Sequence, residues 1–317
     1  MKNKILIAGL LLLSAFLAIL FWKERENAGL DRAEAAAQQK ADQQLLLSVS
    51  HQKELFRLQT QLGDLAASFK YLRESKTFGA ALNDLSWGYD NLNAGKAASF
   101  GSSALKKYYA DHLFKEISGD RDSILAHWFP KNALAVYLQS FYMAGKNRWD
   151  KDHPHHYIPA FFGPDIQASS QMMSAENLWI LGPGGNVLYS TGVQNLLGVN
   201  LLEDPFATSA AGQLLEEVLS QNKKLVLVQK PNPITGKDNT MLMGGAMGPT
   251  KKPTGFLLVQ FKPSVILPNL SENILHSFSW EALENQAEGD TLISRMEVEG
   301  ISLWLKSWRN TLPVSEE

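Results

Sequence analysis

The sequence predicts an α+β protein: an N-terminal transmembrane helix and long helical stalk, then an antiparallel sheet flanked by helices. Three observations carry this. An uncharged apolar run opens the chain, a helix-forming composition continues to about residue 75, and after residue 150 short apolar runs alternate with glycine and proline.

Residues 5–22, Ile5 to Trp22, hold eighteen uncharged residues. At 1.5 Å per residue they just span a bilayer core of about 30 Å. Lys2 and Lys4 precede the run without an acid, whereas Glu24 and Glu26 interleave with Lys23 and Arg25 behind it. The positive-inside bias then leaves residues 1–4 as a cytoplasmic tip and places the bulk of the chain outside the cytoplasm. A cleaved leader would need a small-x-small site close behind the run. The good match, Ala33-Glu34-Ala35, lies too far beyond Trp22. The expectation is therefore a single-pass protein of the bacterial inner membrane with a periplasmic body.

Residues 23–75 read as the stalk. Ala, Gln, Glu and Lys dominate its first half, with no proline. Leu55, Leu58, Leu62, Leu65, Phe69 and Leu72 then alternate spacings of three and four, a heptad seam. The seam allows two readings: a homodimer through a parallel coiled coil, or one amphipathic helix packed on its own domain. Gly63 inside it weakens the coiled coil.

Residues 76–265 form the expected body. Ala81, Leu82, Leu85, Trp87 and Tyr89 give a helical apolar face. Asp120 to Gly145 reads as one helix, strongest from Pro130, with Ala133, Val136, Tyr137, Phe141 and Tyr142 inward. The segment around His153 to Pro159 reads as a polar, proline-broken loop. Residues 178–190 carry a hairpin turning at Gly182-Pro183-Gly184-Gly185. A helix over 206–221 follows, then strands at 225–228, 240–247 and 255–261, with Gly244 and Gly245 weakening the second. Residues 266–317 form a C-terminal extension whose hairpin, 293–298 with 301–308, turns at Glu299-Gly300.

The order strand, strand, helix, strand, strand, strand resembles that of PAS-like Cache domains. Asn177 to Ser190 resembles the Cache pattern D-I-F-L-I-D-x-x-G-x-V-V-Y-S. Leu197 to Phe206 with Ser209 looks like F-G-T-N-L-x-x-G-P-Y-x-x-S, Tyr157-Ile158-Pro159 stands where that subgroup has Tyr-His-Pro, and Gly255 to Gln260 resembles its closing strand. Asn177 and Gly182 replace aspartates of the pattern, and Ile158 replaces a histidine. The resemblance implies extracytoplasmic sensing, as in chemoreceptors, histidine kinases and nucleotide cyclases. No second span or output module follows Gln260. A signal would therefore leave sideways, through a membrane or envelope protein partner recognised by the stalk or the sheet edge.

With 317 residues, net charge −2 and no cysteine, the chain offers no electrostatic footprint for nucleic acid and no thiol chemistry. His153, His155 and His156 could ligate zinc or copper, but a solvated loop accounts for them. Thr235-Gly236-Lys237-Asp238 fails the P-loop pattern, and no Gly-x-Ser-x-Gly or His-Glu-x-x-His occurs. No catalytic residue, metal or cofactor is assigned. A PAS-like pocket would lie between the sheet and its neighbouring helices and loops. Its ligand-binding candidates are Tyr157, Trp179, Tyr189 and Asn200, because small-molecule pockets combine aromatics with a few polar groups. Met241 and Met243 read as core. The expected function is a non-enzymatic sensor recognising a small molecule. The alternatives are a ligand-free scaffold of an envelope complex and, behind it, an unrecognised enzyme.

Overall fold

The computed structural model describes residues 2–92, 102–113, 120–143, 154–192, 194–220, 226–231, 239–249, 252–261, 274–279, 291–299 and 301–309. One helix, α1, runs Lys2–Glu74. It contains both the apolar run and the stalk. The anchor assigned to residues 5–22 lies largely outside the residues whose side chains are described. Among the described residues, no helix is long and apolar enough to cross a membrane.

The described side chains of α1 between residues 21 and 46 are almost all exposed, Phe21, Trp22 and Leu30 among them. Farther along, the heptad seam turns inward. Leu58, Leu62, Leu65, Phe69 and Leu72 are buried, with Leu55 packed against them, in a core shared with the strands of this same chain. The seam is thus occupied intramolecularly. The opposite face of α1 stays open at Leu45, Val49 and Phe56.

α2 (Lys76–Asp90) buries Ala81, Leu82, Leu85 and Tyr89, but Trp87 is 57% exposed and lies off that face. Next come α3 (Ser102–Tyr108), continued by a π-helical turn to Leu113, then α4 (Arg121–Trp128) and α5 (Ala133–Met143). The single helix expected over 120–145 is therefore two. Asp120 caps the first by accepting from the Asp122 and Ser123 amides. Pro130 disfavours helical backbone at Phe129, and Asn132 Oδ1 accepts from the Leu134 amide to start the second. α5 also sits rotated from expectation. Ala135, Tyr137, Leu138, Gln139 and Ser140 are buried, while Ala133, Val136, Phe141 and Tyr142 are half-buried. α6 (Pro154–Met172) replaces the expected polar loop; Pro154 occupies its first turn, and Pro159 and Pro164 are accommodated inside it.

The main sheet contains β1 (Ala175–Leu181), β2 (Val187–Ser190), β3 (Val226–Pro231), β4 (Asn239–Met247) and β5 (Gly255–Phe261). Its order is β2-β1-β5-β4-β3, antiparallel throughout. α7 (Ala210–Ser220) lies between β2 and β3 in the chain. The alternation of side chains divides β1, β2, β4 and β5 between two cores. Leu178, Ile180, Met241, Met243, Leu257 and Val259 meet α1, α2 and α6. Trp179, Leu181, Leu242, Phe256 and Leu258 meet α7 and the turn at Leu201 and Phe206. Gly244 is required rather than merely tolerated, because a Cβ there would stand 2.7 Å from Leu258 and 2.9 Å from Leu214 of α7.

The expected C-terminal hairpin is present as β7 (Thr291–Val298) and β8 (Ile301–Arg309). A strand the sequence reading missed, β6 (Ile274–Ser279), completes a second antiparallel sheet of order β6-β8-β7. This sheet packs on α1, and Met296, Ile301, Leu303 and Leu305 join the main core.

Candidate functional site

A small concavity bordered by a predicted site residue lies between α6 and β2. Tyr142, Pro159, Leu188, Tyr189, Ser190, Thr191 and Leu197 enclose about 180 Å³. Tyr189 stands opposite Ile180 in the β1–β2 register and so faces the helices. Gly163 of α6 makes room for it: a Cβ there would lie 3.2 Å from the Tyr189 hydroxyl. Burial pushes the Tyr142 phenol well above its ordinary range, with Tyr189 and then Tyr137 adding to the effect; burial also raises Tyr189. Both rings therefore stay neutral near pH 7 and can donate as well as accept hydrogen bonds.

Two buried polar networks shape the walls. Asn177 Oδ1 accepts from the amides of Leu178 (2.9 Å) and Gly192 (2.8 Å) and from the hydroxyls of Ser190 (2.9 Å) and Thr191 (3.3 Å). One side-chain oxygen thus folds the end of β2 back over the start of β1. On the far wall, Gln139 Nε2 donates to the carbonyls of Asn195 and Leu197, both at 3.0 Å, while its Oε1 accepts from the Tyr109 hydroxyl at 2.6 Å. That pins the 194–197 turn to α5 and sets the position of Leu197.

Asn177→Ala is expected to cost about 3 kcal/mol, because it removes the shared acceptor of several buried donors. Asn177→Asp should retain the fold, since a carboxylate accepts the same bonds with charge assistance. Urea unfolding of both variants checks this; an alanine variant as stable as the parent would mean that Asn177 organises nothing.

The four ligand candidates do not converge. Tyr189 lines the pocket. Tyr157 lies in α6, two residues before the lining Pro159, but its side chain is outside the described residues. Trp179 is 4% exposed and points to the opposite face of the sheet, among Leu181, Phe206 and Leu214. Successive residues of a strand face opposite ways, so Trp179 cannot share the face of Leu178 and Ile180. Asn200 serves a turn: its Oδ1 accepts from the Leu202 amide, and its Nδ2 donates to Glu203. Tyr142, Pro159, Leu188, Ser190, Thr191 and Leu197 are the wall residues that sequence reasoning did not single out as site residues. Tyr142 was visible only as part of a helical apolar face, and Thr191 only as the residue after the hairpin.

A larger cleft of about 600 Å³ runs between α2 and two strand turns, past Asn83, Tyr89, Asp90, Gly182, Pro249 and Lys252. Among the described residues, no group of three or more His, Asp or Glu side chains could hold a metal ion. His153 and the side chains of His155 and His156 lie outside those residues.

No family model matches the chain, and no curated protein matches it. Among solved structures, the sensor domain of the V. cholerae histidine kinase DctB is similar to it with a TM-score of 0.30 and 11% identity, over 74% of this chain and 99% of that one. A likeness at that level decides neither fold nor function.

Proposed function

We propose that this chain is a membrane-anchored, extracytoplasmic sensing module that takes a compact small molecule between α6 and β2 and passes the signal to a partner protein. The observation that carries the proposal is the concavity walled by Tyr142 and Tyr189, with Ser190 and Thr191 beside the apolar Pro159, Leu188 and Leu197. Two aromatic phenols beside an apolar patch suit a ligand with one polar end. Its volume of about 180 Å³ is below the roughly 300–1,000 Å³ of drug-sized sites, which favours molecules of amino-acid or short organic-acid size. The Cache resemblance falls on the segments that build this wall, Asn177 to Ser190 and Leu197 to Phe206. The apolar run 5–22 with its lysine flank supports the anchor and the extracytoplasmic placement. No residue of the site is assigned a catalytic role.

The test is a thermal-shift screen of the full chain in mild detergent against amino acids, organic acids and purines. A ligand held by the native state alone adds about 2.7 kcal/mol at a concentration of 100 Kd. Tyr189→Ala should abolish the shift, while Asn83→Ala in the other cleft should leave it intact. A shift unaffected by Tyr189→Ala, or lost with Asn83→Ala, moves the site elsewhere.

The second reading is an interaction module, favoured by the exposed stripe Leu45, Val49 and Phe56 on α1. Their spacing of four and seven puts them on one helical face, opposite the buried seam. The stripe is where a homodimer through the stalk, one of the two readings of the seam, would form, since Leu58 to Leu72 pack in the chain's own core. Failure of the ligand screen, together with self-association abolished by Val49→Asp and Phe56→Asp, would favour this reading.

A further inference from the structure

The second sheet is fastened to α1 by a polar clasp set in an otherwise apolar interface. His51 projects from the same face of α1 as Leu47 and Leu58 and is 2% exposed. Its Nδ1 lies 2.7 Å from Ser307 Oγ of β8, and its Nε2 lies 2.8 Å from Ser294 Oγ of β7. One ring therefore joins the helix to two neighbouring strands. Ser307 occupies a row that otherwise reads Ile301, Leu303 and Leu305, all buried. A hydroxyl at such a core position implies a specific partner, and the imidazole is one here.

Among the described residues, several charged groups near the clasp have partners of their own. Glu54, one turn along the same face of α1, is buried and takes a two-point bond from Arg57 at 2.9 and 2.5 Å, while Arg57 Nη1 also donates to Gln61. Arg295 and Glu297 of β7 pair with each other, and both are more than half exposed. Lys306 of β8 stands over the Trp308 ring. By register, His276 of β6 lies across from Ser307.

We propose that His51 is a pH-dependent latch that holds the C-terminal sheet on α1 while its ring is neutral. A neutral imidazole has one donor and one acceptor, and two hydroxyls complement it, one accepting and one donating. Protonation makes both nitrogens donors. The serine that donated must turn to accept, and a cation must occupy a largely buried position. Glu54, one turn away, is already paired with Arg57. Imidazole changes charge between about pH 5 and 8, so acidification through that range weakens the docking of β6, β7 and β8. The contact lies on α1 between the apolar run and the main sheet, so the latch controls the surface presented by that stretch of the helix.

The experiment is hydrogen exchange read by mass spectrometry on the full chain, from pH 8 to pH 5, with intrinsic rates corrected. Protection of the β7 and β8 amides should fall by roughly tenfold or more, while that of β1 and β5 holds. His51→Gln, which keeps a donor and an acceptor but takes up no proton, should leave protection independent of pH. Wild-type protection that does not change with pH overturns the proposal. So does an unchanged response in His51→Gln, or a response lost in His276→Gln instead. Should His51→Gln lose docking at every pH, NMR titration of the wild-type His51 ring decides: a midpoint coinciding with the loss of protection supports the latch, and a separate midpoint overturns it.

Discussion

Leu58→Lys combined with Leu65→Lys is expected to leave the body of the protein unfolded, and Leu58→Ala alone to cost about 2–5 kcal/mol. Leu58 is wholly buried and Leu65 nearly so, in a core that also contains Phe69, Leu257, Val259 and Leu305. Each lysine removes a filled volume and brings a charge with no built partner, an expense beyond the transfer free energy alone. Two such losses approach the whole stability of a typical domain, about 5–15 kcal/mol. The measurement is urea unfolding of the full chain at several protein concentrations. Because the seam packs on its own strands, the midpoint of Leu58→Ala should not depend on concentration. A midpoint that rises with concentration would mean that the seam is completed by a second copy. A double lysine variant of unchanged stability would mean that it packs on nothing.

The sequence carried the fold unevenly, and each failure has a local cause. Period-two runs interrupted by glycine located β1, β2, β5 and the β7–β8 hairpin closely, because turn chemistry and alternation are signals within a few residues. Glu299, at φ +51, and Gly185, at φ +87, occupy the turns that the reading placed there. β6 escaped because Ile274-Leu275-His276-Ser277-Phe278-Ser279 is short and mixed, and its pairing with β8 is a long-range fact. α6 escaped because Pro159 and Pro164 argue against a helix locally, and tertiary packing of Phe162 and Ile166 outweighed them. The heptad seam was legible as a stripe, but a stripe does not name its partner. Of the site, Tyr189 was within reach because it ends a recognisable hairpin. Trp179 was misplaced because the reading took aromatic character without assigning the strand face. Gln139 and Asn177 hold the walls through bonds spanning tens of residues or a folded-back turn, which no local pattern announces.

Gly198→Val should destabilise the protein by about 3 kcal/mol or more and open the wall of the candidate site. Two independent penalties meet at this position. Its φ of +76° is left-handed, which costs an L-residue about 1–2 kcal/mol and a β-branched one still more. A Cβ would also lie 2.7 Å from Ala135 Cα and 3.1 Å from Leu138 of α5, and overpacking of this kind costs about 1–3 kcal/mol. The backbone of a buried helix cannot step aside, so the turn must move. Its movement strains the bonds that Gln139 makes to the carbonyls of Asn195 and Leu197, and the 3.2 Å bond from the Tyr89 hydroxyl to the Gly198 carbonyl. Leu197, adjacent in the chain, is carried out of the pocket. Gly184→Ala is the control, because that residue has no positive φ and the nearest atom to a new Cβ is 3.5 Å away. It should be neutral or slightly stabilising. Thermal unfolding of the two variants, with the Tyr189-dependent ligand shift measured on each, separates the effects. A Gly198→Val variant as stable as Gly184→Ala would mean that the 194–198 turn is not held against α5. A destabilised Gly198→Val variant that keeps the full ligand shift would mean that Leu197 contributes nothing to binding.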